Sequence, residues 1–179
     1  MIHASLVLQE LKKLNVTHVV GLPDNSSAAL ITLLGCDPDM NFVAVAREGE
    51  AFAIAAGLWI GGKTPVVLIQ NTGFLESGDG FRGTAVRMRI PLLCLITYRG
   101  YRKLRSWQVR HGESELNADT LSCAGQDSAA LVTEPTLAAW GVPFDFLNDD
   151  GCLMKIAEAF NKANAQLQPV AVMVTDELG

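Results

Sequence analysis

Two hydrophobic patterns alternate along most of the chain. Continuous apolar runs, "THVVGL" (17–22), "NFVAVA" (41–46), "TPVVLIQ" (64–70) and "IPLLCLITY" (90–98), read as strands buried on both faces. Segments with helical spacing separate them, at about 3–14, 25–34 and 48–61, the last ended by the glycine pair at 61–62. Beyond Tyr98 a polar stretch without clear periodicity runs to about 126. "DSAALVTEPTLAAWG" (127–141) then predicts a helix in two pieces, interrupted at Pro135. "VPFDFL" predicts a short strand, "DGCLMKIAEAFNKANAQ" a helix, and "QPVAVMVT" a last, edge strand. Helices alternating with doubly buried strands predict an α/β fold. The expected architecture is a three-layer α/β/α domain around a mostly parallel six-stranded sheet, one domain over 1–179.

Such a sheet collects ligands at the carboxyl ends of its strands. The segments expected there are "GLPDNSS" (21–27), "AREGE" (46–50), "QNTGFLESGDG" (70–80) and "TYRGYRKL" (97–104), all rich in glycine and polar groups. Their convergence on one edge points to a site.

Composition narrows the classes. Apolar residues make up 49% and charged residues 18% of the chain, a low charge density that fits a surface partly covered by a partner. A net charge of −5 argues against nucleic-acid binding, and the basic cluster "YRGYRKLR" (98–105) reads first as a solvated loop. No apolar run reaches the roughly 20 residues of a membrane span, and the N-terminal segment lacks signal-peptide features, so a cytoplasmic location is expected. Cys36, Cys94, Cys123 and Cys152 show no metal-ligand spacing, and Cys94 reads as a buried small hydrophobe. "GGKT" (61–64) lacks the upstream glycine of a phosphate loop. No dinucleotide fingerprint or nucleophile elbow occurs. "GDG" (78–80) lacks a correctly spaced asparagine and a delivering strand, so it reads as a turn or helix start with Asp79 capping, not as a metal site.

Two acids, Glu48 and Glu50, stand where the second strand meets the third helix. Both fit the preference of a first helical turn for carboxylates. The helix that follows carries Ala51, Ala53, Ala55, Ala56 and Gly57, too small to fill a core layer, so a backbone or a flat ligand is expected to approach it closely. An acid at that position suits proton transfer.

"REGEAFAIAAGLWIGGKTPVVLIQNTG" (47–73) resembles the pyrimidine-binding domain of thiamine-diphosphate-dependent decarboxylases. In that superfamily a strand-end glutamate is followed nine residues later by a glycine in an alanine-rich helix; Glu48 and Gly57 have this spacing, whereas Glu50 does not. Gly21–Asp24, Gln70–Gly73 and the run at 133–143 are similar to motifs of phosphonopyruvate and sulfopyruvate decarboxylases. The similarity covers most of the chain and is weakest at 99–126.

The resemblance implies an α-subunit of a heteromeric 2-oxo acid decarboxylase. A separate β-subunit with a GDG…N motif would supply the diphosphate-binding domain and hold Mg²⁺. Glu48 would hydrogen-bond the pyrimidine N1′ of thiamine diphosphate and favour its imino tautomer. Asn71, Thr72 and Gly73, expected in a strand-end turn, would border that ring. His111 would relay a proton. Asp24 and Asn25 either contact substrate or cap the next helix, and Arg99, Arg102 and Arg105 either attract an anionic substrate or are surface charge. Another reaction of the same cofactor, carboligation or acyl transfer, and a non-catalytic binding module are the alternatives.

Overall fold

The computed structural model describes residues 1–112 and 115–179. Helix α1 (Ala4–Lys13) leads to β1 (His18–Gly21), α2 (Ala28–Cys36), β2 (Asn41–Ala44), α3 (Glu48–Ile60) and β3 (Pro65–Gln70). A helical segment follows in three parts: α4 (Asn71–Glu76), the single turn α5 (Gly78–Gly80) and a widened π turn over Phe81–Val86. Next come β4 (Leu93–Thr97), α6 (Tyr101–His111), α7 (Ala118–Leu121), α8 (Ser128–Ala139), β5 (Phe144–Leu147), α9 (Met154–Gln166) and β6 (Val170–Val174).

The described strands form one sheet in the order β2-β1-β3-β4-β6-β5, every neighbour pair parallel. Alternate strand residues serve two cores. Val20, Val67, Ile69, Ile96 and Met173 pack with Phe52, Phe74, Phe81 and Leu137 on the face of α3, α4 and α8. Val19, Leu68, Leu95 and Val172 pack with Leu11, Leu30 and Ile156 on the face of α1, α2 and α9. A parallel sheet covered on both sides explains why β3, β4 and β6 read as unbroken apolar runs. It also puts all six carboxyl ends on one edge.

Four expectations are corrected. First, the "QPVAVMVT" strand is not an edge: β6 lies between β4 and β5, and all five of its residues are buried. The edge strands are β2 and β5, whose alternating Phe144-Asp145-Phe146 already carries a half-exposed pattern. Second, α8 continues through Pro135 as one helix. Proline removes one backbone donor, and burial of Ala130, Leu131, Thr133 and Leu137 holds the helix across it. Third, the polar stretch after Tyr98 contains α6 and α7, so the basic cluster opens a helix rather than a loop; Leu104 is the one buried residue of α6, too little to set a periodicity. Glu113 and Ser114 of that stretch lie outside the described residues. Fourth, Asn71–Gly73 form the first turn of a helix, not a loop turn.

GDG is a helical turn in which Asp79 makes no capping bond and pairs instead with Arg82 at 2.6 Å. Its Gly80 abuts α3: a Cβ there would lie 2.9 Å from the Gly49 carbonyl.

Candidate functional site

At the carboxyl edge, β2 delivers the chain to the N-terminus of α3. The two acids of that turn are used differently. Glu50 folds back, and its carboxylate accepts the Ala46 and Arg47 N–H groups at 3.1 and 3.3 Å, satisfying donors that a helix start leaves open. Arg47 itself reaches across to pair with Glu76 at the end of α4.

Glu48 is half-buried and accepts no hydrogen bond from the described residues. Its side chain lies over the first turn of α4: a Cβ on Gly73 would stand 2.3 Å from both Glu48 Cγ and Oε1. Only glycine leaves room there, because any side chain would displace the carboxylate. Thus β2 and β3, separated in the sheet by β1, contribute one acid and one bare backbone to the same spot. Beside it, the Thr72 hydroxyl donates to Gln70 Oε1 at 2.8 Å.

Asn71 is fully buried, and its amide joins three elements. Nδ2 donates to the Arg99 carbonyl and to Thr133 Oγ1, each at 3.2 Å, while Oδ1 accepts the Arg99 N–H at 3.1 Å. The side chain therefore continues the β3–β4 ladder by one step and ties it to α8. Asp24 closes the turn that leads into α2, whose own start has no side-chain cap: Oδ1 accepts the Ser26 and Ser27 N–H groups at 2.7 and 3.2 Å, and Oδ2 accepts the Ser27 and Thr97 hydroxyls at 2.7 and 3.3 Å. Asn25 next to it is exposed. His111 sits exposed in the last turn of α6 with its ring 4.3 Å from that of Trp107, and no described contact joins it to Glu48.

One cluster escaped the sequence reading. Arg105 binds both oxygens of Glu134 at 2.7 and 2.9 Å, and the Tyr98 hydroxyl lies 2.8 Å from Glu134 Oε1. Burial, and then the hydrogen bond to Glu134, pushes the Tyr98 phenol above its ordinary range. No spacing signal links these residues, because Tyr98 follows β4, Arg105 lies in α6 and Glu134 in α8. Among the described residues no group of three or more His, Cys, Asp or Glu side chains could hold a metal ion, and no helix is long and apolar enough to cross a membrane.

An all-parallel sheet with a carboxylate and a bare glycine backbone at its ligand-binding edge defines a small-molecule or cofactor-binding α/β domain. The particular family follows from comparison. The model of the thiamine pyrophosphate enzyme N-terminal TPP binding domain matches residues 1–122, and the chain belongs to that family. Phosphonopyruvate decarboxylase of Streptomyces viridochromogenes is 28% identical over 163 residues, 84% of this chain and 41% of that protein. Sulfopyruvate decarboxylase subunit alpha of Methanocaldococcus jannaschii is 30% identical over 94 residues, 52% of this chain and 56% of its own. The matched segments thus span about two fifths to just over half of these relatives. The half-buried Glu48 carboxylate, without a hydrogen-bond partner among the described residues, is a group that could share a proton with a ring nitrogen.

Proposed function

We propose that this chain is the pyrimidine-binding subunit of a heteromeric, thiamine-diphosphate-dependent 2-oxo acid decarboxylase. The observation that carries the reading is Glu48: the first residue of α3, seated over Gly73, with no hydrogen bond to its carboxylate among the described residues while Glu50 does the capping. Glu48 holds a proton against the ring nitrogen N1′ of the bound cofactor and thereby fixes its tautomer. Gly73 and Thr72 border the ring, and the buried Asn71 keeps the turn beneath it in place. When bound, thiamine diphosphate supplies the electron sink for the carbon–carbon bond that breaks in decarboxylation.

The partner is a β-subunit carrying the diphosphate-binding motif GDG…N and Mg²⁺. Support comes from relatives named as alpha subunits. His111 remains our candidate proton relay, Asp24 and Asn25 our candidate substrate contacts, and the cytoplasm the proposed location. Because α6 presents His111 at its exposed end, that role requires the partner to close over it.

The test is reconstitution of the chain with a GDG…N partner, thiamine diphosphate and Mg²⁺, followed by CO₂ release from a panel of 2-oxo acids. Glu48→Gln is expected to lower turnover by about 10²–10⁴-fold with an unchanged circular dichroism spectrum. Full turnover by Glu48→Gln would remove the assignment.

A further inference from the structure

Between α6 and α8 lies a cavity of about 320 Å³, with Phe144 of β5 in its lining. Each helix contributes one face. From α6 come Leu104, Arg105 and Gln108. From α8 come Leu131, Glu134, Pro135 and Ala138, spaced three and four apart along one side. A mostly apolar lining with a few polar groups is the usual character of a small-molecule site.

The charges on this lining are already spent. Arg105 donates to both Glu134 oxygens at 2.7 and 2.9 Å and to Gln108 Oε1 at 2.8 Å. Its guanidinium also stands over the Tyr101 and Phe146 rings, 5.0 and 5.5 Å from their centroids. Among the described residues no other ionisable group lines the cavity. A carboxylate entering it would face Glu134, and an ammonium would face Arg105, neither with a free counter-charge to offset its desolvation.

Two uncharged polar groups stay open. A guanidinium only donates, so Arg105 holds the Gln108 amide by its oxygen and leaves the NH₂ group, which has no acceptor among the described residues. On α8, Pro135 has no N–H and cannot donate to the Leu131 carbonyl one turn back, as a regular helix would. No other described element donates to that carbonyl, and Leu131 is buried. A buried acceptor without its partner is costly, and a ligand donor would relieve it.

We propose that this cavity binds an uncharged amphipathic small molecule carrying both a hydrogen-bond donor and an acceptor, a carboxamide being the simplest such group. Its donor serves the Leu131 carbonyl, its acceptor takes the Gln108 NH₂, and its apolar body lies among Leu104, Pro135, Ala138 and Phe144. The volume equals that of about ten waters, which limits the ligand to about that many non-hydrogen atoms. The site is separate from the Glu48–Gly73 spot and does not rest on the decarboxylase reading.

Calorimetric titration of the full chain at neutral pH tests it, with hexanamide, hexanoate and hexylammonium as probes of matching size and different charge. Saturable binding of hexanamide is expected, at least tenfold tighter than either charged probe. Ala138→Leu fills the cavity from an exposed position and should abolish binding. Ala139→Leu, exposed on the same helix but outside the lining, should leave it unchanged. Pro135→Ala returns a helical N–H to the Leu131 carbonyl, so the melting temperature should rise while hexanamide affinity falls severalfold. A variant that gains stability and loses binding separates occupation of that carbonyl from damage to the fold. Absence of saturable hexanamide binding, charged probes binding as tightly, equal loss in Ala139→Leu, or full affinity in Pro135→Ala would overturn the proposal.

Discussion

Glu48 and Glu50 stand two positions apart in one helical turn, and their surroundings give them different work. Glu50 closes the backbone donors of the turn, while Glu48 extends over a residue that has no side chain. The nine-residue spacing to Gly57 singled out Glu48; the contact with Gly73 comes from another strand and has no local sequence signal. Cys94 shows the opposite case, a residue whose environment is legible at once. It lies in an apolar run, is buried in β4, and burial pushes its thiol from the ordinary 9.0 to about 12. A thiol with a raised folded pKa stabilises the fold fully below its unfolded pKa, and that contribution falls as pH rises from 9 toward 12. Between pH 8 and 10.5 the loss is about 2 kcal/mol. Urea titrations at the two pH values should show a fall in stability smaller by that amount in Cys94→Ala than in the wild type.

At the scale of elements, side chains finish what backbone ladders begin. The last paired residues of β3 and β4 are Gln70 and Thr97, and Asn71 then bonds the Arg99 backbone with its amide and Thr133 on α8 with the same group. Asn71→Ala leaves the part-buried Arg99 N–H and C=O without their partner and should cost about 1–3 kcal/mol. The check is a chemical denaturation curve, together with hydrogen exchange at the Arg99 amide, which should speed up. Such a clamp is invisible in sequence because its members are separated by 28 and 62 positions. The same distance effect misplaced α6 and Pro135. One buried leucine gives α6 no period, and a proline inside α8 reads as a break until tertiary packing is seen to cover it.

At the scale of the molecule, α3 is the element with a face left over. It is apolar along its length, with Ala51, Phe52, Ala55 and Ala56 turned inward. Ile54 and Ile60 stay exposed at 37% and 63%, and a Cβ on exposed Gly57 would meet nothing within 4 Å. A helix that is apolar all round is normally covered on all sides. Glycine inside it costs about 1 kcal/mol relative to alanine, and nothing in this chain requires it there. On the subunit reading, the outer face of α3 meets the partner. Gly57→Ala should therefore stabilise the isolated chain by about 1 kcal/mol while weakening its capture by the partner. Thermal melts and a pull-down with the tagged β-subunit check the two halves separately. Unchanged capture would remove α3 from the interface.

By itself the sequence determined the class of fold, and its resemblance to a known family singled out Glu48 as the candidate acid. Doubly buried strands must be apolar along their whole length, and helix starts, caps and the spacing to Gly57 are local relations that a linear chain records. Only the tertiary structure decided that β6 lies inside the sheet, that Gly73 makes room for Glu48, and that Asn71 fastens Arg99. The cavity between α6 and α8 belongs with these. Strand order, close approach and cavities are relations between distant segments, set by how helices and strands pack.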